Sequence, residues 1–98
     1  TGVIKMKSYR SSQQIMADVL YIIGDNGRGG VGITKLCHKS NLPHGRLKKM
    51  INLLTTSELT NKIEYDGKNT FVLTPKGKEY LENYKRFASV AETFGLDI

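Results

Sequence analysis

The spacing of apolar residues predicts four helices, because in four segments they recur at intervals of three and four residues. The predicted helices cover residues 11–24, 34–40, 43–56 and 75 to about 94. Ser11 and Gln14 fit a capping box at the first helix, and Thr34 suits the N-cap of the second. Pro43 fits the first turn of the third helix, and Thr74 before a proline predicts the start of the last. The connection between the second and third helices is so short that it favours a helix-turn-helix.

After residue 56 apolar residues alternate with polar ones, and this period of two predicts a β-hairpin. The alternating apolar residues are Ile63, Tyr65, Phe71 and Leu73. Asp66-Gly67 is a strong signal for a tight turn, so strands are expected at about residues 60–65 and 70–73. A two-stranded hairpin is only marginally stable alone and must pack on the helices. The expected fold class is therefore mainly α with a small β-hairpin (α+β), arranged as a winged helix-turn-helix with a long C-terminal dimerisation helix.

The last helix is expected to pack on the core with its first turns and on a second copy of the chain with its later turns. Its residues Tyr80, Tyr84, Phe87, Ala91 and Phe94 step by four and three, which is the spacing of a coiled-coil seam. The candidate dimerisation residues are Tyr84, Phe87, Ala91 and Phe94. Without a partner they would expose an aromatic stripe. The alternative is that the helix folds back and completes its own core. The seam leaves parallel and antiparallel order open.

Length and charge narrow the class of protein. The 98 residues suffice for one domain, divided into a tail at 1–8, the winged helix-turn-helix at 9–74 and the C-terminal helix at 75–98. The net charge is +6, and residues 28–78 carry ten basic and three acidic side chains, whereas residues 79–98 carry two basic and four acidic ones. Such clustering favours an anionic partner. The alternative is a basic surface that merely keeps the domain in solution.

The third predicted helix leaves basic and polar residues off its apolar face. A phosphate backbone attracts such residues, and the major groove of DNA admits such a helix. The candidate DNA-binding residues are Lys39, His44, Arg46, Lys48, Lys49 and Asn52 around this helix, and Lys68 and Asn69 at the hairpin tip. Lysine and arginine suit phosphates or guanine edges, while His44 and Asn52 suit base readout. For the hairpin tip the alternative is that it is simply solvated.

Enzymatic chemistry is not expected. The glycine-rich residues 24–32 lack the preceding strand that a dinucleotide-binding loop requires, so they predict a flexible loop between helices. Cys37, His38 and His44 are too few ligands and match no zinc spacing. No catalytic residue, metal or cofactor is therefore predicted. A single cysteine favours a reducing, cytoplasmic compartment, and the short apolar runs predict no contact with a membrane.

Two stretches, TKLCHKSNLPHGRLKKMINLL and FVLTPKGKEYLENYKRF, resemble the archaeal winged-helix DNA-binding proteins of the Sulfolobus 10a kind. The resemblance covers about residues 9–96, and its most specific parts are 39–42, 47–49 and 73–77. It implies a homodimer that is joined by antiparallel C-terminal helices and binds duplex DNA. In this chain the residues that would face DNA are Pro43, His44, Gly45, Lys48, Lys49 and Asn52, with a wing at 66–69.

Two features of the sequence differ from what the resemblance leads us to expect. Glu58-Leu59 stands where the family usually has Gly-Leu, so the exit of the recognition helix is expected to be the place where the two differ. The glycine-rich stretch 24–32 is also longer than the family leads us to expect. The expected function is a nucleoid-associated, double-stranded DNA-binding protein that acts as a transcriptional regulator or a general DNA-binding protein. The alternative function is a winged helix that docks a protein without binding DNA directly.

Overall fold

The computed structural model describes residues 11–96, which form four helices and a two-stranded hairpin. The elements are α1 Ser12–Asp25, α2 Ile33–Ser40, α3 His44–Thr56, β1 Thr60–Tyr65, β2 Lys68–Leu73 and α4 Pro75–Thr93. A 3-10 turn at Gly27–Gly29 lies between α1 and α2. The predicted fold class is confirmed: helices predominate, the hairpin forms a wing, and a long helix ends the described part. The predicted tail at 1–8 lies outside the described residues.

The core is made by one apolar stripe from each helix. The most deeply buried side chains are Val19, Leu20 and Ile23 of α1, Leu36 of α2, and Leu47, Ile51 and Leu54 of α3. Phe71 of β2 and Leu81 of α4 complete the cluster. Each large apolar side chain that leaves water stabilises the fold by about 1.5–3 kcal/mol. This core fixes the rotation of α3 and therefore decides which of its residues reach solvent.

Three predicted helix ends are wrong by one residue each. Helix α2 begins at Ile33 after Gly32, so Thr34 is not its N-cap. The reason is the pairing of Val31 with Phe71, which holds the chain extended up to the helix. Pro43 is extended (φ −60°, ψ 147°) and caps α3 instead of lying in its first turn. Helix α1 continues past Gly24 to Asp25.

The hairpin turn is tighter than predicted. Tyr65 pairs with Lys68, so the turn consists of Asp66 and Gly67 alone. Both have positive φ (54° and 77°), as in the type I′ turn that joins twisted antiparallel strands. Strand β2 therefore starts at Lys68, two residues before the predicted start, and Lys68 and Asn69 belong to the strand.

The glycine-rich stretch 24–32 is built into the sheet edge and is not a free loop. The amide and carbonyl of Val31 pair with the carbonyl and amide of Phe71 at 3.0 and 2.9 Å. Thr70 Oγ1 donates to the carbonyl of Gly29 at 2.7 Å. Gly30 (φ 74°) lies so close to the carbonyl of Phe71 that a Cβ would not fit. The glycine at residue 30 thus serves a close backbone approach.

Helix α3 ends in a Schellman motif although its turn residue is not glycine. The amide of Glu58 bonds to the carbonyl of Thr55 at 3.0 Å, and that of Leu59 bonds to the carbonyl of Leu54 at 2.9 Å. Glu58 adopts φ 66°, the left-handed conformation that glycine favours. The end of α3 therefore has the hydrogen bonds of a helix that is capped by glycine. It differs in carrying a glutamate, which is strained in this backbone conformation.

The start of α4 agrees with its prediction. Thr74 is the N-cap, and its Oγ1 accepts a hydrogen bond from the amide of Gly77 at 2.9 Å. Pro75 occupies the first turn, where its missing N–H costs nothing. Gly77 lies against the carbonyl of Leu59 and has no room for a Cβ. This close contact seats α4 on the segment that leaves α3.

Candidate nucleic-acid interface

Helix α3 has a buried face and a continuous exposed face. Leu47, Ile51 and Leu54 point into the core. A helix turns by 100° per residue, so the positions opposite this face follow one another at steps of four and three. They are Gly45, Lys49, Asn52 and Thr56, and all four are exposed. Lys49 and Asn52 therefore lie at the centre of the solvent side of α3.

The other predicted residues of α3 flank this centre. His44 and Lys48 are one turn apart and lie along one side of it. Arg46 lies along the other side, three residues before Lys49. All three side chains are exposed. The structure thus brings the five predicted α3 residues onto one surface, which we call the α3 surface: His44, Arg46, Lys48, Lys49 and Asn52, together with Gly45 and Thr56.

The charge of the α3 surface has a single sign. Helix α3 contains no acidic residue. Among the described residues, no cation of α3 forms an ion pair within 4 Å. Lys76 and Glu58 form an ion pair at 3.9 Å, and neither residue belongs to α3 or to the predicted DNA contacts. The positive charge of the α3 surface is therefore available to an external anion.

Gly45 and Thr56 are candidate contact residues of different kinds. A Cβ at residue 45 would meet no atom within 4 Å, so the backbone there is open to a close approach. The resemblance pointed to Gly45, whereas Thr56 was missed. The signal that finds Thr56 is helical phase, since it lies one turn beyond Asn52 on the face opposite the core.

The wing residues Lys68 and Asn69 are both exposed, but they do not share a face. They are consecutive residues of β2, and consecutive side chains of a strand point to opposite faces. In the register of the hairpin, Lys68 lies opposite Tyr65 and Asn69 lies opposite Glu64. The two side chains therefore lie on opposite faces of the wing. The remaining candidate, Lys39, is exposed near the end of α2.

The residues considered for metal binding do not form a site. Cys37 is partly buried against the hydrophobic core, whereas His38 and His44 are exposed. Across residues 11–96 no group of three or more histidine, cysteine or acidic side chains is placed to hold a metal ion. A membrane-spanning helix is also absent from this part of the chain, since none of its helices combines the required length and apolar character.

A groove of about 920 Å³ lies elsewhere on the surface, between the end of α1, the hairpin and the first half of α4. Its floor is apolar and includes Ile63, Val72 and Leu81. Its rim carries both signs of charge, with Lys85 over the ring of Tyr21 at 5.1 Å from the centroid. The α3 surface differs from it because it carries no acidic side chain.

The four predicted dimerisation residues of α4 differ in their exposure. Tyr84 packs partly against the core and Ala91 is only 3% exposed. Phe87 and Phe94 are 59% and 75% exposed, and Val90 between them is 51% exposed. We call Phe87, Val90 and Phe94 the apolar stripe. Val90 was missed because the seam was counted through Ala91, although Val90 also lies three residues after Phe87 and four before Phe94.

The chain belongs to the winged helix-turn-helix family, which it matches over residues 9–92. Among solved structures it is similar to Sso10a-2, a DNA-binding protein from Sulfolobus solfataricus, with a TM-score of 0.71. The two share 21% sequence identity over 87% of this chain and 85% of that one, so the likeness establishes the fold. The resemblance expected from the sequence is confirmed. A comparison with curated proteins gave no match.

Proposed function

We propose that this protein binds double-stranded DNA, with α3 as the recognition helix in the major groove. The observation that carries the proposal is the α3 surface, whose centre is Lys49 and Asn52 and which lacks acidic residues. A major groove about 12 Å wide admits a helix that presents such a face. The fold shared with a DNA-binding protein supports the same function.

The residues of the α3 surface differ in what they can recognise. Arg46, Lys48 and Lys49 are cations that bind phosphates or the O6 and N7 edge of guanine. His44 and Asn52 both donate and accept hydrogen bonds, and an asparagine amide fits the N6 and N7 edge of adenine. Cations therefore supply affinity without sequence preference, while Asn52 at the centre of the surface is placed to supply specificity.

The wing and α2 extend the proposed interface along the DNA backbone. Lys68 and Asn69 point to opposite faces of the hairpin. We therefore assign the wing's contact with DNA to the residue that lies on the same side of the protein as α3. Lys39 lies before the turn of the helix-turn-helix and suits a phosphate next to the groove. Each of these contacts positions the protein and adds to the salt dependence of binding.

The proposed assembly is a homodimer formed through α4. The apolar stripe of Phe87, Val90 and Phe94 is exposed in the single chain, and an apolar surface of this kind favours association. Tyr84, predicted for the same seam, packs partly against the core, and Ala91 is buried in the single chain. Two copies would present two α3 surfaces to one duplex, as a transcriptional regulator or a general DNA-binding protein of the nucleoid does.

The test is a titration of the purified protein with random-sequence duplex DNA at two salt concentrations, with molar mass measured by light scattering on the same samples. The expected result is tight binding by a dimer that weakens steeply as salt rises. A protein that fails to bind at 50 mM salt would contradict the proposal. That result would favour the alternative function, a winged helix that docks a protein partner through its apolar stripe.

A further inference from the structure

One apolar side chain interrupts the polar face of α3. Leu53 is 55% exposed, although the neighbouring Ile51 and Leu54 are 2% and 0% exposed. It follows Asn52 directly and lies one turn after Lys49 and three residues before Thr56. Residues three and four apart are neighbours on the surface of a helix, so Leu53 lies beside Lys49 and Thr56. Leu53 therefore adjoins the centre of the α3 surface, on the side away from the core.

We propose that Leu53 is a specificity-determining residue that contacts the C5-methyl groups of thymine in the major groove. The inference rests on the proposed DNA binding and goes beyond it by naming a base. A leucine side chain forms no hydrogen bond with a phosphate or a base edge, so its favourable partners in the groove are apolar. The thymine methyl is the apolar group that the major-groove edge of a base pair presents.

The neighbours of Leu53 favour the same base pair. Asn52 fits the adenine edge, and adenine is the partner of thymine. The side chains of Asn52 and Leu53 point about 100° apart around α3, one on each side of the line through Lys49 and Thr56. Both therefore lie next to the centre of the α3 surface, where both can reach base edges. The pair of residues selects A·T steps, whereas the flanking cations bind any sequence.

The experiment compares two duplexes of one A·T-rich sequence, one with thymine and one with deoxyuridine at every thymine position. Deoxyuridine pairs with adenine in the same way and lacks only the methyl group. We expect the protein to bind the uracil duplex about fourfold more weakly for each methyl contacted, the effect of losing one buried methylene-sized group. Fluorescence anisotropy on labelled duplexes at constant salt measures both affinities.

Two variants assign the effect to the side chain. Leu53→Ala should bind both duplexes with equal affinity, because the aliphatic contact is gone. Leu53→Met keeps an apolar side chain of similar volume and should retain the preference for thymine. Because Leu53 is largely exposed, both variants should remain folded and keep their molar mass.

The outcomes separate this inference from the function on which it rests. If the wild-type protein binds both duplexes tightly and equally, Leu53 reads no methyl group and the inference is overturned while DNA binding stands. If Leu53→Ala keeps the wild-type preference, another side chain carries it and the inference is again wrong. A changed molar mass in Leu53→Ala would assign Leu53 to a protein interface instead. If neither duplex is bound at low salt, the proposed DNA binding itself fails.

Discussion

The hydroxyl of Thr74 donates a hydrogen bond of 2.6 Å to the backbone carbonyl of Glu58. The same oxygen accepts the amide of Gly77 at 2.9 Å, so one buried hydroxyl joins the residue that ends α3 to the first turn of α4. These two hydrogen bonds tie the segment that leaves α3, the proposed recognition helix, to the start of α4.

Replacing Thr74 with valine should destabilise the fold, although the volume of the side chain stays nearly the same. The variant loses an N-cap and leaves the carbonyl of Glu58 without its partner, and losses of this kind cost about 1–3 kcal/mol. Urea denaturation followed by circular dichroism measures the free energy of unfolding. Thr74→Ser keeps the hydroxyl and is the matched control. Equal stability of the valine and serine variants would show that the hydroxyl does not contribute.

Replacing Glu58 with glycine should stabilise the fold. Glu58 adopts φ 66° at the end of α3, and a residue with a side chain pays about 1 kcal/mol or more for this conformation. The lost ion pair with Lys76 matters little, because both side chains are largely exposed. The urea midpoint should therefore rise.

Glu58→Ala is the control for that prediction. It also removes the ion pair but keeps a Cβ at the left-handed position, so its midpoint should stay near the wild-type value. A glycine variant no more stable than the alanine variant would contradict the interpretation that backbone strain is stored at Glu58.

Replacing Phe87 with glutamate should convert a dimer into monomers. Phe87 lies in the apolar stripe of α4, and a charge there opposes burial against a second copy. Light scattering over a range of protein concentrations measures the molar mass. Ser89→Glu adds the same charge on the other side of α4 and should remain dimeric. Should Phe87→Glu keep the dimer mass, the proposed interface is elsewhere.

Much of the fold can be predicted from the periodicity of apolar residues in the sequence. The parts that were predicted wrongly depend on contacts or turns that this periodicity does not reveal. Apolar spacing predicts each helix because the core needs one buried stripe from each. The start of α2 and the ordering of residues 24–32 depend on the pairing of Val31 with Phe71, a contact between distant residues that no local pattern contains. The start of β2 depends on a type I′ turn, which leaves polar residues in the strand.

The candidate site shows the same division. The basic residues of α3 can be identified from the sequence. The sequence does not distinguish Leu53 from Leu54, because both are leucines. Only the docking of α3 sends Leu54 into the core and leaves Leu53 in solvent. In α4 the heptad count treats Phe87 and Ala91 alike, whereas the structure buries Ala91 and leaves Phe87 exposed. Helical phase relative to the core is a tertiary property, and it decides which side chains a partner meets.

The double substitution Lys48→Ala with Lys49→Ala should weaken DNA binding and flatten its dependence on salt. Each phosphate that a lysine neutralises adds about 0.9 to the slope of log affinity against log salt, so the loss of two contacts lowers the slope by about 2. Titrations at several salt concentrations measure it.

Lys76→Ala with Lys78→Ala removes equal charge from exposed positions of α4 and should leave the slope closer to that of the wild type. If both double variants lower it equally, net charge and not the α3 surface governs binding. If the α3 variant keeps the wild-type affinity and slope, α3 does not lie against the phosphate backbone.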